Sequence, residues 1–346
     1  NAIVRPGAIP VLLILLSVGK AQTPAAYALA QLARFNQKTQ MAIAEAGGIA
    51  PLLALLGGRN LDANIESAGA LAEIARDNEY TQDAIALAGG IGPLLALLAA
   101  RNSVAQSRGM AALAQLARKN QANQDAIATM GGIKPLVQLL DQVVNDPDVQ
   151  AHAAFALMEI SQSNLANQQM VVNSNGILQL SVLMKNSKHA EVKVEVAGAL
   201  WALSEAPEIK VTIAEAEAIL PLVDLLGVGG PRARQHAAAA LSSLALDNEV
   251  NQVAITQMLI KLMAVGDSDA QEQAVRALWR QAHENPSAHY GIARAGDPAA
   301  LVDLLKDGTP DGKDYATWSL SLSISAEIQD TVAESGGVQP LIDQMS

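Results

Sequence analysis

The sequence predicts an all-α solenoid, a stack of helical repeats, on three observations. Gly47-Gly48-Ile49-Ala50-Pro51-Leu52-Leu53-Ala54-Leu55-Leu56 returns almost unchanged at 89–98 and again at 131–140. The marker residues Ile49, Ile91 and Ile133 fall 42 apart, and a fixed period of this length is the mark of stacked supersecondary units. Half of the residues are hydrophobic but only 3% are aromatic, so Ala and Leu carry the apolar content, which suits closely packed helices better than sheets.

Each unit reads as three helical pieces. The first is short, as at 36–46, and ends at Gly-Gly, where left-handed backbone turns the chain sharply. The Pro two places after the marker suits the first turn of the next helix, where its missing N–H is not needed. That second helix, Leu-Leu-x-Leu-Leu, is apolar nearly all round and is expected between neighbours. After a polar loop such as 57–60, the third helix is longer and amphipathic, as at 62–77, 104–119, 148–163, 191–205 and 232–247. Its recurring small-x-small-Leu-x-x-Leu-small spacing puts one face inward, with alanines allowing close approach.

The copies begin at Gly7 and run to the chain's end, where Gly336-Gly337-Val338-Gln339-Pro340 opens another. We therefore expect one repeat domain over 1–346 that starts and stops inside repeats, as a piece of a longer chain would. Ile177 and Ile219 continue the register, and Asn175-Gly176 and Glu217-Ala218 replace the Gly-Gly. The next copy is damaged: Ile255 to Leu262 spans 7 positions where Ile43 to Leu55 spans 12, so about five residues are missing near Gln257-Met258. The expectation is nine second helices, eight third helices, a degenerate repeat near 248–285 and a local change of superhelix angle near 255–263.

The 346 residues would suggest about two or three ordinary domains, a count that a repeat array escapes. A net charge of −11 argues against broad binding to nucleic acid or anionic membranes. The apolar run at 9–16 is shorter than the roughly 18 residues a membrane span needs, and it is itself the first repeat copy. Cysteine is absent, which excludes disulfides, thiolate metal sites and a cysteine nucleophile, and fits a cytoplasmic or nuclear setting.

No constellation points to chemistry. His152 and His236 hold equivalent places two repeats apart, too far to share an ion, and His283 and His289 lack a third ligand at helical spacing. The glycines follow no strand and contain no Gly-x-x-x-x-Gly-Lys, so they read as turns rather than a phosphate cradle. Neither cofactor, metal nor catalytic set is expected.

Ile85-Ala-Leu-Ala-Gly89-Gly90-Ile91-Gly-Pro93-Leu94-Leu95-Ala-Leu97-Leu98, followed by Ala112-Leu113-Ala-Gln-Leu116-Ala117, resembles the armadillo repeat, closest in kind to vacuolar and plant-type arrays. The resemblance runs the whole length. It implies a right-handed superhelix of about eight to nine repeats whose third helices line a concave groove for partner proteins.

Importin-α-like and β-catenin-like members carry a Trp and Asn ladder on that helix for extended basic peptides. Here the Trp places hold Tyr27, Gly69, Ala111, Phe155, Gly198, Ala239, Arg276 and Trp318, and the Asn places hold Gln31, Glu73, Gln115, Glu159, Ala202, Ser243 and Arg280. The ladder is absent, which counts against a nuclear-import adaptor. Trp201 and Trp279, just after ladder places, are expected to pack.

The ladder place, the place three before it and the place four after it share one stripe. In the N-terminal half this gives Glu66, Glu73, Arg108, Gln115, His152, Phe155 and Glu159, with Tyr27 ahead of them; toward the C-terminus it gives Glu195, His236, Ser243, Arg276 and Arg280. Arg276 and Arg280, one turn apart, can meet carboxylates. Tyr27 and Phe155 are expected as contact residues, because aromatics anchor interfaces. The reading is a non-enzymatic scaffold that binds a protein or peptide segment along this groove. The alternative is a regulatory array attached to an enzyme or assembly elsewhere in a longer chain.

Overall fold

The computed structural model describes residues 7–141, 146–284, 298–321 and 326–344, side chains at 264, 265, 268, 281–284, 298–300 and 326–328 excepted. Among them are 23 α-helices and no strand. The chain divides into two compact units, Asn1–Leu180 and Ser181–Ser346.

The first unit holds α1 (Ala8–Leu15), α2 (Gln22–Ala33), α3 (Gln37–Glu45), α4 (Ile49–Leu56), α5 (Leu61–Ala75), α6 (Glu79–Leu87), α7 (Ile91–Leu98), α8 (Ser103–Ala117), α9 (Gln121–Thr129), α10 (Ile133–Gln138), α11 (Pro147–Ser161) and α12 (Leu165–Asn173). Helix α13 (Gly176–Asn186) crosses the boundary. The second unit holds α14 (Ala190–Leu203), α15 (Pro207–Glu215), α16 (Ile219–Val228), α17 (Pro231–Ala245), α18 (Glu249–Val265), α19 (Ser268–Glu284), α20 (Pro298–Asp307), α21 (Pro310–Ser321), α22 (Ala326–Glu334) and α23 (Val338–Gln344).

First, second and third helices alternate as the spacing predicts. The eight third helices are α2, α5, α8, α11, α14, α17, α19 and α21. Eight of the nine expected second helices are separate; the ninth is the C-terminal half of α18, fused to its first helix. Aligned by Ile85 and Ile255, α18 lacks the counterparts of Gly89 to Pro93. Both glycines and the proline have gone, so nothing stops the first helix and it runs on for 17 residues.

The Gly-Gly turns have a strict geometry. Gly47, Gly89 and Gly131 take φ of 79°, 80° and 81°. Behind each, the second glycine donates to the carbonyl five residues back, Gly90 to Ile85 at 2.9 Å. This is the Schellman closure of a helix end. Where the glycine is replaced, Asn175 and Glu217 keep the same left-handed backbone at φ 64° and 57°.

The second glycine is needed for space, since a Cβ on Gly90 would lie 2.7 Å from Ile85 Cγ2 and 3.1 Å from Leu53 Cδ2. Where Ala218 takes this place, the position corresponding to Leu53 shrinks to Ser181. Gly89→Asn should therefore leave stability within about 0.5 kcal/mol, because Asn tolerates the left-handed region. Gly90→Ala should cost about 1–2 kcal/mol by overpacking. Thermal unfolding of the two variants checks this; an equal loss would deny the two glycines separate roles.

A second recurrent joint links each third helix to the next first helix. Phe35, Asp77, Lys119, Ser163 and Asp247 are left-handed, and each is followed by an N-cap Asn: Asn36, Asn78, Asn120, Asn164 and Asn248. Each Asn side chain accepts from the backbone N–H three residues on, and so satisfies one orphan donor of the helix.

In the first unit a glutamine on the first helix then ties repeat to repeat. Gln40 donates to the carbonyls of Glu73 and Arg76, Gln82 to those of Gln115 and Arg118, and Gln124 to those of Glu159 and Gln162, at 2.8–3.3 Å. Those carbonyls end third helices and have no intrahelical partner. The same glutamines accept from Asn78, Asn120 and Asn164. In the second unit Lys210 takes the glutamine's place and donates to the Leu246 carbonyl at 2.6 Å.

Candidate partner-binding face

Third helices pack against third helices along each unit, and their alanines, glycines and leucines fill the contact. In α5 eleven of the fifteen residues are buried, so little of the helix is left for anything outside. On α5 recognition can be built only on the narrow face that remains.

The stripe residues separate into two sets. Tyr27 is 52% exposed, the Arg276 side chain 66%, and Arg108 and Arg280 are also exposed. Glu66, Glu73, His152, Phe155 and Ser243 are half-buried. Gln115, Glu159, Glu195 and His236 are buried. The expectation of a uniformly presented stripe is corrected here: Gln115, Glu159, Glu195 and His236, at places before or after the ladder position, are buried, whereas Arg108 and Arg280 at such places are exposed.

Several of these residues are used by the fold. Glu73 pairs with Arg76 through two contacts of 2.9 and 3.0 Å. Arg118 lies 3.3 Å from Asp77 and 3.9 Å from Glu159. Glu73 and Glu159, two of the three carboxylates of the N-terminal stripe, are thus matched by arginines of the same unit. The Ser243 hydroxyl donates to the Ser204 carbonyl at 2.8 Å. His152 Nδ1 lies 2.7 Å from the Asp148 carbonyl, and His236 Nδ1 lies 3.0 Å from that of Val194. Burial pushes the His236 imidazole below its ordinary value, which favours its neutral form. Among the described residues no group of three potential metal ligands forms; the His283 side chain and His289 lie outside them.

Glycine at a ladder place has a specific use. The Arg108 side chain lies across Gly69, its Cδ 3.7 Å from where a Cβ would stand. A larger residue there would push the guanidinium off the face.

In the second unit, Glu195 sits at the centre of a charged group on α14 and α17. Arg232 reaches it at 2.7 Å and Glu191 at 3.2 Å. Burial, only partly countered by Arg232, pushes the Glu195 carboxyl up to about 7, and the Glu191 charge adds to the rise. Trp201 lies over His236 with ring centres 6.3 Å apart, consistent with packing.

Trp279, expected to pack, does so in an aromatic cluster. Its ring centre is 4.9 Å from that of Trp318 and 5.6 Å from that of Tyr315, the latter edge-on. It is also 37% exposed, and its neighbours on α19 are Arg276 and Arg280. Arg276 pairs with Glu272 one turn back. Counting only ladder places misses this surface, because Trp279 falls between them. A second missed feature is Arg34, Arg76 and Arg118, spaced by 42, with Arg34 and Arg76 over the exposed Phe35 ring at 5.3 and 5.5 Å.

A helical solenoid with a recurrent third-helix face defines the class, and the comparisons give the family. The armadillo/β-catenin-like repeat model matches residues 164–205. An engineered protein solved by a structural genomics consortium is 30% identical, covering 98% of this chain and 84% of its own, at a TM-score of 0.75. A second engineered protein from the same source is 30% identical over 68% of this chain and 96% of its own, at a TM-score of 0.64. A designed armadillo repeat protein, solved in complex with the peptide (KR)4, is 24% identical over 68% of this chain and 99% of its own, at a TM-score of 0.61. No curated protein matches the sequence. The chain carries an armadillo repeat and has the fold of designed armadillo repeat proteins.

Proposed function

We propose that this chain is a non-enzymatic scaffold, acting in the cytoplasm, whose third-helix face holds a segment of a partner protein. The observation that carries the reading is the set of side chains on that face which the core does not absorb, Tyr27 and Arg108 in one unit and Arg276, Trp279 and Arg280 in the other. Exposed aromatic and arginine side chains are the residue types that anchor interfaces. Support comes from similar designed armadillo proteins described as peptide-recognition modules, one of them holding (KR)4.

The preferred segment differs from (KR)4. With Glu73 and Glu159 matched by Arg76 and Arg118, a basic peptide meets at most the single stripe carboxylate Glu66 there. Beside Trp279, the exposed Arg280, together with Arg276 that is shared with Glu272, favours a segment carrying carboxylates next to an apolar side chain. Peptides selected from a random library on the full chain should therefore be acidic. Arg276→Glu/Arg280→Glu should weaken them at least roughly tenfold, the scale of losing a charged contact. (KR)4 should show no saturable binding in the same titration. Selection of basic peptides that bind the double variant unchanged would overturn the reading.

A further inference from the structure

Helix α18 runs unbroken for 17 residues. Val250, Ala254 and Met258 fall four apart on it, so they share one face with Asn251, seven before Met258. Together with Leu220, Pro221 and Leu225 of α16 they line a cavity of about 540 Å³ in the second unit. Sites of this size, mostly apolar with a few placed polar groups, enclose small molecules. Leu220 is 53% exposed and Val250 79%, so the walls carry apolar surface that the chain itself does not cover.

Asn251 is the polar group within this apolar lining, and it is only 3% exposed. Its side-chain nitrogen donates to the carbonyls of Lys210 at 3.3 Å and Leu244 at 3.2 Å. Two carbonyl partners fix which end of the amide is the nitrogen. The amide oxygen is left over, and it accepts no hydrogen bond from the described residues. A buried acceptor without a partner is costly, so a donor brought to it is favoured. The charged groups of the lining already face one another, Lys185 paired with Glu217 and Lys193 beside Asp224.

These features select among occupants. A polypeptide segment brings a carbonyl with every residue, and the lining side chains offer no free uncharged donor to answer it. A charged head group meets lysines and carboxylates that are already matched. A neutral molecule with an apolar body and a single donor suits both the walls and Asn251. We propose that this cavity binds an uncharged apolar small molecule bearing one hydroxyl group, whose O–H donates to the Asn251 amide oxygen. Apart from Lys193, the lining belongs to first and second helices and their turns, and the site is independent of the function proposed above.

The test titrates 2-naphthol, and 2-methylnaphthalene of nearly the same shape, into the full chain while the Met258 methyl signal is followed by NMR. Both should shift this methyl saturably. The naphthol should bind about five- to tenfold more tightly, the scale of one hydrogen bond to a group otherwise unpaired. Asn251→Thr should bring the two affinities together. Thr81 holds the same register on α6 and bonds the Ile74 carbonyl at 2.6 Å, so the variant keeps a bond to the third helix and loses the amide oxygen. Ala254→Phe, which fills the cavity, should weaken 2-naphthol at least roughly tenfold with helical circular dichroism unchanged. Arg276→Glu/Arg280→Glu should bind 2-naphthol as wild type does, which separates this site from the third-helix face. If either cavity variant does not fold, the difference between the two ligands on the wild-type chain carries the test. No saturable binding, equal affinities for the two ligands, or binding indifferent to Ala254→Phe would overturn the proposal. So would 2-naphthoate binding more tightly than 2-naphthol, since the site would then be one for anions. A capped Leu-Pro-Leu peptide that displaces 2-naphthol at lower concentration than 2-naphthol itself binds would overturn it in favour of a polypeptide. A concentration-dependent dimer by light scattering that Ala254→Phe abolishes would overturn it in favour of a second copy.

Discussion

Gln82→Ala should lower stability by about 2–3 kcal/mol, the range for leaving buried polar groups unsatisfied. Gln37→Ala should change it by less than about 0.5 kcal/mol, as exposed substitutions do. Both glutamines donate to the end of the next third helix, Gln37 to the Asp77 carbonyl at 2.9 Å. They differ in burial. Gln82 is 2% exposed, and its loss strands the carbonyls of Gln115 and Arg118 where water does not reach easily. Asn120 would keep its bond to Asp83 at 2.8 Å, so the N-cap survives. Because repeat arrays unfold in parts, the readout is denaturant midpoint together with amide exchange near residue 118. Equal effects at the two positions would show that the buried joint contributes no more than a surface bond.

Glu195→Gln should stabilise the protein at pH 8 by on the order of 3 kcal/mol and leave it nearly unchanged at pH 4. The carboxyl is 5% exposed, and its folded-state value of about 7 stands above its ordinary 4.5. A carboxyl whose value is raised by folding favours the protonated state. Its contribution is therefore fully present below about 4.5 and is lost as pH rises through about 7, opposite to a carboxylate held by a strong ion pair. Arg232 and Glu191 face this group, and His236 stands one turn beyond Arg232 on the same helix. The imidazole, held low by burial, gives the reverse slope below its ordinary value in wild type and variant alike. The difference between the two proteins isolates Glu195. A Tm difference that does not grow between pH 5 and pH 8 would mean that Arg232 compensates the buried charge fully.

Much of the architecture was legible because its signal is backbone chemistry. Gly-Gly followed by Ile-x-Pro ends one helix and begins another wherever it occurs, so the period located almost every helix. The five-residue gap was legible too, but its consequence was not: counting gave a ninth separate helix, whereas removal of every helix-breaking residue joined the two. The Asn caps and Gln joints repeat at the same register as the marker. They escape a reading by hydropathy because short polar side chains resemble surface. Tyr27, Arg108, Arg276 and Arg280, placed on the stripe by the ladder register and helical spacing, were exposed. Gln115, Glu159, Glu195 and His236 were not, because their burial depends on how closely the adjacent repeat approaches. Alanine and glycine at Gly69, Ala111, Gly198 and Ala239 permit that approach, an effect that belongs to pairs of repeats rather than to one helix.

The central claim is that a partner segment lies on third helices. A library-selected peptide carrying a photoreactive group at its centre, crosslinked to the full chain and located by mass spectrometry, tests it most directly. The account predicts attachment to third-helix residues, Tyr27 and Arg108 in the first unit or Trp279 and Arg280 in the second. Attachment confined to the first and second helices, with none on a third helix, would contradict it.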